Sequence, residues 1–132
     1  MAFLVDRTNS VGLSTFNMLK GFLLQLSDAM PIGPDDAHVG YILFAKKPTL
    51  LNTFADTEYY NSENVHNLIS SITNDLGGLT YIDRALITAN DSLFTPTGGD
   101  RLEVPNVLIL MTDGRTNEAS VPFSEIVPSL RV

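Results

Sequence analysis

The chain has 132 residues, of which 44% are hydrophobic and 17% charged, and its formal net charge is −7. This length and composition are typical of one folded domain. The acidic charge argues against nucleic acid as a partner, because phosphate binding needs a basic face and the eight Lys and Arg residues are scattered along the sequence. The absence of cysteine excludes disulfides and thiolate metal sites. No apolar run approaches the ~20 residues of a membrane span.

Strands and helices alternate along the first half of the chain. Residues 2–6 form the first predicted strand. From Leu13 to about Ala29, apolar residues recur at three- and four-residue steps, which predicts an amphipathic helix. Residues 39–45 predict a central strand, and residues 49–54 a shorter antiparallel edge strand after the tight connection Lys46-Lys47-Pro48. The apolar stripe of the helix consists of Phe16, Leu19, Leu23 and Leu26, widened by Leu13, Phe22 and Met30.

The second half continues the alternation. Residues 62–73 predict a helix with Ser62 as its N-cap, and residues 82–94 predict another helix. The apolar and β-branched run at 107–112 indicates a strand buried on both faces. The tail, residues 115–132, has a weak helical stripe that prolines interrupt.

This order of elements predicts an α/β fold, a Rossmann-like three-layer sandwich with helices on both faces of a mostly parallel sheet. The right-handed crossover rule places strand 4 beside strand 1 and gives the sheet order 3-2-1-4, with strand 3 as an antiparallel edge. The gap between strands 1 and 4 is the switch point at which such sheets bind ligands. Asp6 and Asp113 each follow one of these strands and flank the gap.

Five oxygen donors are expected to converge on this switch point. Asp6, Thr8 and Ser10 stand at alternate positions of an extended loop, so their side chains point the same way. Thr80 adds a third hydroxyl, and Asp113 adds the second carboxylate. Hard divalent cations prefer oxygen ligands, and two carboxylates balance one dication. The sequence therefore predicts a site for Mg²⁺, with Mn²⁺ or Ca²⁺ as alternatives.

Three segments, taken together, resemble a von Willebrand factor type A domain. They are Asp6-x-Thr8-x-Ser10, Gly77-Gly78-x-Thr80 and Thr112-Asp113-Gly114, in that order along the chain. The metal-ion-dependent adhesion site (MIDAS) of this family uses Asp-x-Ser-x-Ser, a Thr and an Asp. The resemblance implies the same five ligands, with Thr8 where the family usually has Ser. It also implies that residues 1–132 are a single, partial domain of this family.

The resemblance also implies a function in protein binding. The metal leaves one coordination position open, and an exposed Asp or Glu of a protein partner fills it. Residues 77–83 and 104–107 are similar to the matrix-type members, the matrilins and collagen-associated domains, which implies a secreted protein of the extracellular matrix that binds a matrix protein or collagen, without membrane insertion. The rim that contacts the partner is expected to consist of Arg7, Asn9, Gly78, Tyr81, Gly114 and Arg115.

Members of the family continue past the tail into further strands and a further helix. The resemblance therefore implies a domain that lacks the last strands of the fold and its carboxyl-terminal part. Strand 107–112 is then expected to be an exposed apolar edge, through which the chain self-associates. Met1 leads directly into the first strand without a signal peptide, which also predicts a piece of a longer protein.

Each site residue also has a simpler structural interpretation. Asp6 or Ser10 caps the helix that begins at residue 13, Thr80 caps the helix at 82, and Asp113 belongs to a turn. Each simple role is plausible alone, but five oxygen donors with this order and spacing favour the metal site.

Two other functions stay open at this point. A metal-dependent hydrolase is disfavoured, because the sequence has no Walker-type phosphate loop, no nucleophile elbow and no His or Lys base near the site. The second alternative is an intracellular scaffold domain of the same family within a multiprotein complex.

Overall fold

The structure is a computed structural model that describes residues 1–8, 12–73 and 81–112. Four strands and three α-helices alternate along these residues, and a short 3₁₀ helix precedes the second α-helix. The elements are β1 (Ala2–Asp6), α1 (Leu13–Ala29), β2 (Gly40–Phe44), β3 (Pro48–Leu50), the 3₁₀ helix (Thr57–Tyr59), α2 (Ser62–Ser70), α3 (Ile82–Ser92) and β4 (Leu108–Met111). The predicted tail helix lies outside the described residues.

The sheet has the predicted order, β3-β2-β1-β4. β1 pairs in parallel with β2 on one side and with β4 on the other, and β3 pairs antiparallel with β2. β1 is apolar at its first four residues and completely buried, as expected for the centre of a parallel sheet. The predicted fold class is confirmed.

Alternate residues of the strands pack into two hydrophobic cores, one on each face of the sheet. Leu4 and Ile42 face the core under α3, whereas Phe3 and Tyr41 face the core under α1 and α2. The rings of Phe3 and Tyr41, which are paired across β1 and β2, stack with their centroids 5.1 Å apart. Burial on both faces explains why the strands read as continuous apolar runs rather than as alternating ones.

Helix α1 has the predicted bounds, but its apolar stripe is narrower than expected. Phe16 and Leu23 are buried, and Leu19 and Leu26 pack partly against the core. The prediction that Leu13 and Phe22 widen the stripe is wrong, since both are about half exposed. Their exposed fractions are 51% for Leu13 and 48% for Phe22.

The edge strand β3 is shorter than the predicted range of residues 49–54. It ends at Leu50, and the side chain of Asn52 takes over the pairing with β2. The Tyr41 N–H donates to Asn52 Oδ1 at 2.9 Å, and Asn52 Nδ2 donates to the Val39 carbonyl at 2.8 Å. A side-chain amide thus satisfies the edge of β2 where a backbone strand was predicted.

The N-cap of helix α2 lies one residue earlier than predicted. The N-cap is Asn61 and not Ser62, because the Asn61 side chain accepts the Asn64 N–H at 3.1 Å. The helix ends at Ser70, three residues before the predicted end, and Lys20 Nζ of α1 donates to the Ser70 and Ile72 carbonyls. A cation at this terminus complements the helix dipole.

Strand β4 is half-buried over its first three residues, although the sequence predicted burial on both faces. Within the described residues it pairs with β1 alone, so its outer edge is covered less than that of β1. Self-association through this edge stays a prediction. No helix in the described ranges is both long and apolar enough to cross a membrane.

His38 is buried at the amino end of β2. Its ring stacks on Tyr60 with centroids 3.9 Å apart, and its Nε2 donates to the Pro34 carbonyl at 3.0 Å. Nδ1 is buried and has no hydrogen-bond partner among the residues that the structure describes. Burial lowers the pKa of His38 below its ordinary value of 6.5, because the imidazolium would lose its solvation.

This lowered pKa makes the stability depend on pH. Below about pH 6.5 the unfolded chain binds a proton at His38 that the folded chain does not, so the free energy of unfolding falls as the pH falls. Urea unfolding at about pH 7 and about pH 5 checks this. We expect a smaller loss in His38→Gln, whose amide still donates to Pro34. Equal losses in the two proteins would exclude His38 as the source.

Candidate metal centre

The carboxyl ends of β1, β2 and β4 meet at one edge of the sheet. Asp6 stands beside Phe44 in the parallel register of β1 and β2, and Val5 stands beside Met111 of β4. Backbone hydrogen bonds extend this edge, because the Arg7 N–H donates to the Phe44 carbonyl at 2.9 Å. We call this region the carboxyl edge; it is where an open α/β sheet binds its ligands.

Asp6 is the centre of a hydrogen-bond network at the carboxyl edge. Its exposed fraction is 0%, so its carboxylate is removed from bulk water. Oδ1 accepts the Thr8 N–H at 3.0 Å and the Thr8 hydroxyl at 2.6 Å, and Oδ2 accepts the Thr112 hydroxyl at 2.7 Å. A buried carboxylate is costly unless donors or a cation compensate it, and here two hydroxyls and an amide contribute.

The sequence around Asp6 folds the loop by a local interaction. An Asp that accepts the N–H two residues later forms an Asx turn, and the Thr8 N–H provides that bond. This turn brings the Thr8 hydroxyl back onto the carboxylate, and Thr8 is itself buried. The first two residues of the predicted Asp-x-Thr-x-Ser set are therefore in contact.

Thr112 links the end of β4 to the end of β1, the two strands that flank the switch point. It follows β4 directly, and its contact with Asp6 joins residues that are 106 positions apart in sequence. Thr112 was not among the predicted ligands. One sequence feature could have identified it, namely its position at the end of an apolar strand and directly before the predicted ligand Asp113.

The three other predicted ligands, Ser10, Thr80 and Asp113, lie outside the described residues. The same holds for four predicted rim residues. These are Asn9, Gly78, Gly114 and Arg115.

Two predicted rim residues, Arg7 and Tyr81, lie at the carboxyl edge. The Tyr81 N–H donates to the Ala45 carbonyl at 3.0 Å, which fixes the start of α3 beside the end of β2. Arg7 is half-buried, and its Nε is buried without a hydrogen-bond partner in the described part of the chain. The start of α3 and the residue after β1 therefore lie at the same edge of the sheet as Asp6.

The simple structural interpretation of Asp6 finds no support in the helix caps, and that of Thr80 concerns a residue outside the described ranges. The N-cap of α1 is Gly12, with no side-chain hydrogen bond, so Asp6 does not cap this helix. The N-cap of α3 is Tyr81, also without a side-chain hydrogen bond. The Asp6 carboxylate is therefore directed into the carboxyl edge and not to a helix terminus.

The donor set at Asp6 fits a hard cation. It consists of one carboxylate and the hydroxyls of Thr8 and Thr112, all of them oxygen atoms. The described ranges contain no group of three or more His, Cys, Asp or Glu side chains that could hold a metal ion. Carboxylate, hydroxyl and water oxygens are ligands that Mg²⁺ accepts.

Comparisons with known proteins agree with this architecture. The family model described as von Willebrand factor type A domain matches residues 1–131. Mouse vitrin is 32% identical over 114 residues, which cover 86% of this chain and 17% of vitrin. The mouse collagen alpha-6(VI) chain is 31% identical over 125 residues, which cover 90% of this chain and 5% of the collagen chain.

A similar solved structure is that of proximal thread matrix protein 1 from the mussel byssus, described as having a zinc-occupied MIDAS motif. It superposes with a TM-score of 0.82 at 21% identity and covers 97% of this chain and 34% of the mussel chain. At this identity the similarity shows the fold.

These relatives are proteins of the extracellular matrix, which confirms the predicted extracellular location. The chain spans 17% of vitrin and 5% of the collagen chain, a small part of each. The family model covers nearly the whole sequence, and the sheet has the order that the crossover rule predicted. The chain belongs to the von Willebrand factor type A domain family.

Proposed function

We propose that this chain is a metal-ion-dependent protein-binding domain of the extracellular matrix. Asp6, Thr8, Ser10, Thr80 and Asp113 hold Mg²⁺, and the metal accepts an Asp or Glu carboxylate of a protein partner. The observation that carries this proposal is the buried Asp6 carboxylate, which binds hydroxyls from two separate segments at the switch point.

The choice of metal follows from the ligands. Two carboxylates and three hydroxyls are hard oxygen donors, which favour Mg²⁺ and Mn²⁺, and Ca²⁺ if more ligands are recruited. The mussel protein is described as having zinc in its MIDAS motif, which supports a divalent cation at this position of the fold. When bound, the metal supplies a Lewis-acidic position for a carboxylate.

We propose binding and not catalysis. His66 is exposed and lies 3.3 Å from Asp28, where α2 meets α1, and His38 lies at the amino end of β2. Neither imidazole is placed at Asp6, where a general base would be needed. The similarity to vitrin and a collagen chain supports a partner in the matrix.

The proposal predicts that metal removal abolishes binding. The probe is a synthetic peptide with one Glu among Gly and Ser residues, and its affinity is measured by calorimetry in MgCl₂ and in EDTA. We expect binding in Mg²⁺ and none in EDTA. We also expect none for Asp113→Ala in Mg²⁺, because the site loses one of its two carboxylates.

Asp91→Ala is the matched control, since Asp91 is an exposed acid of α3 and removing it changes the net charge by the same amount. It is expected to bind Mg²⁺ and peptide like the unmodified chain. Peptide binding that persists in EDTA would contradict the proposal.

A further inference from the structure

The fold gathers positive charge at the carboxyl edge. Four of the six Lys and Arg residues in the described ranges lie there, and we call them the basic rim: Arg7, Lys46, Lys47 and Arg84. They come from three separate segments, so the cluster is not visible in the sequence. The chain as a whole has a net charge of −7, and the basic rim is therefore a local reversal of its sign.

Direct contacts join Arg84 to the segment that carries Lys46 and Lys47. Arg84 Nη1 donates to the Lys46 carbonyl at 2.8 Å, and the guanidinium carbon of Arg84 lies 3.9 Å from the centroid of the Tyr81 ring. Tyr81 is in turn bound to the Ala45 carbonyl, directly before the two lysines. A guanidinium has five N–H donors, so Arg84 keeps donors for a ligand while its plane rests on an aromatic ring.

The charges of the basic rim are not neutralised within the described part of the chain. The only contact there between a basic and an acidic side chain joins His66 and Asp28, and it involves no rim residue. Lys46, Lys47 and Arg84 are exposed. Like charges placed together at a surface repel, and no acidic side chain of residues 1–8, 12–73 and 81–112 forms a salt bridge with these four.

We propose that the partner presents an acidic segment and not a single acidic residue. One carboxylate of this segment reaches the metal, and its neighbouring carboxylates lie on the basic rim. This inference rests on the proposed function, since the metal-binding carboxylate fixes where the segment binds. Charge complementarity across the contact raises the association rate and selects against basic partners.

Two peptides of equal length test this inference. One has a single Glu among Gly and Ser residues, and the other has the same Glu followed by three further acidic residues. In Mg²⁺ at low salt, the second should bind about tenfold more tightly, because each exposed charge pair contributes a factor of about 1.4 to 5. The ratio should shrink towards one as NaCl is added, since salt screens exposed charges.

Variants assign this preference to the basic rim. The ratio of the two peptide affinities should fall in the double variant Lys46→Gln/Lys47→Gln and in Arg84→Gln. It should fall further when the three substitutions are combined. Arg101→Gln is the matched control, because Arg101 also donates to one backbone carbonyl, that of Asp36 at 2.8 Å, but lies near the amino end of β2. It should leave the ratio unchanged. Thermal melts confirm that each variant folds.

The outcomes separate this inference from the proposed function. If neither peptide binds in Mg²⁺, the proposed function fails. If both bind equally and EDTA releases both, only the inference fails. A preference for a heparin fragment over the acidic peptide would also overturn the inference. So would rim variants that change aggregation but leave the ratio of the two peptide affinities unchanged, because the lysines would then only protect the edge strand.

Discussion

Asp6→Asn is expected to lower the affinity for Mg²⁺ by more than ~100-fold, since loss of an outer partner of a metal ligand alone costs ~10–100-fold. Asparagine has nearly the same shape, so the loop should keep its fold. Its amide oxygen still accepts the N–H and hydroxyl of Thr8, and its amide nitrogen donates to the Thr112 hydroxyl. The variant therefore removes the charge but keeps the contacts.

Titration calorimetry with MgCl₂ and MnCl₂ measures this loss. A thermal melt gives a second readout, because a metal that binds only the folded state stabilises it by about 2.7 kcal/mol at a concentration of 100 times Kd. This stabilisation should vanish in Asp6→Asn. Thr112→Val, which removes only the hydroxyl that contacts Asp6, should cause a smaller loss. Unchanged metal affinity in Asp6→Asn would place the site elsewhere.

Gly99→Ala is expected to destabilise the fold by about 3 kcal/mol or more, from backbone strain and steric overlap together. The φ angle of Gly99 is +91°, a conformation that side chains disfavour. A Cβ at this position would also lie 2.4 Å from the Ala55 nitrogen and 2.5 Å from the Phe54 carbonyl carbon. These are backbone atoms, so no side chain can rotate to make room.

Gly21→Ala provides the opposite control. Gly21 lies within α1, and a Cβ there would meet nothing within 4 Å. Replacing a helical Gly by Ala should stabilise the fold by roughly 0.5–1 kcal/mol. Urea unfolding of both variants gives the two free energies. A Gly99→Ala chain as stable as the unmodified one would contradict the steric argument.

The sheet was predictable because its strands are apolar runs of the right length, separated by helical periodicities. The crossover rule then allows few arrangements, and the observed order β3-β2-β1-β4 is the predicted one. The elements that differ depend on single side chains. Asn52 replaces part of the predicted edge strand, and Asn61 rather than Ser62 caps α2. Local propensity does not distinguish these choices.

The candidate site was predictable only in part. Asp6 and Thr8 were expected to lie close together, and they are in contact through an Asx turn; their role as metal ligands stays a prediction. The contact between Thr112 and Asp6 was missed, because it depends on the register of β1 against β4, which the sequence pattern does not set. Of the basic rim, Arg7 was predicted, whereas Lys46, Lys47 and Arg84 were missed for a similar reason. The members of the rim lie on three segments, and only the tertiary structure makes them neighbours.

The Asn52 amide has a consequence for strand alignment. The Asn52 side chain has one donor and one acceptor at a fixed separation. They reach the Val39 carbonyl and the Tyr41 N–H in only one alignment of the edge segment against β2. Sliding that segment by one residue would leave a buried carboxamide and two buried peptide groups unsatisfied at once. A three-residue strand is by itself a weak guide to alignment, so this side chain excludes the slipped alternatives.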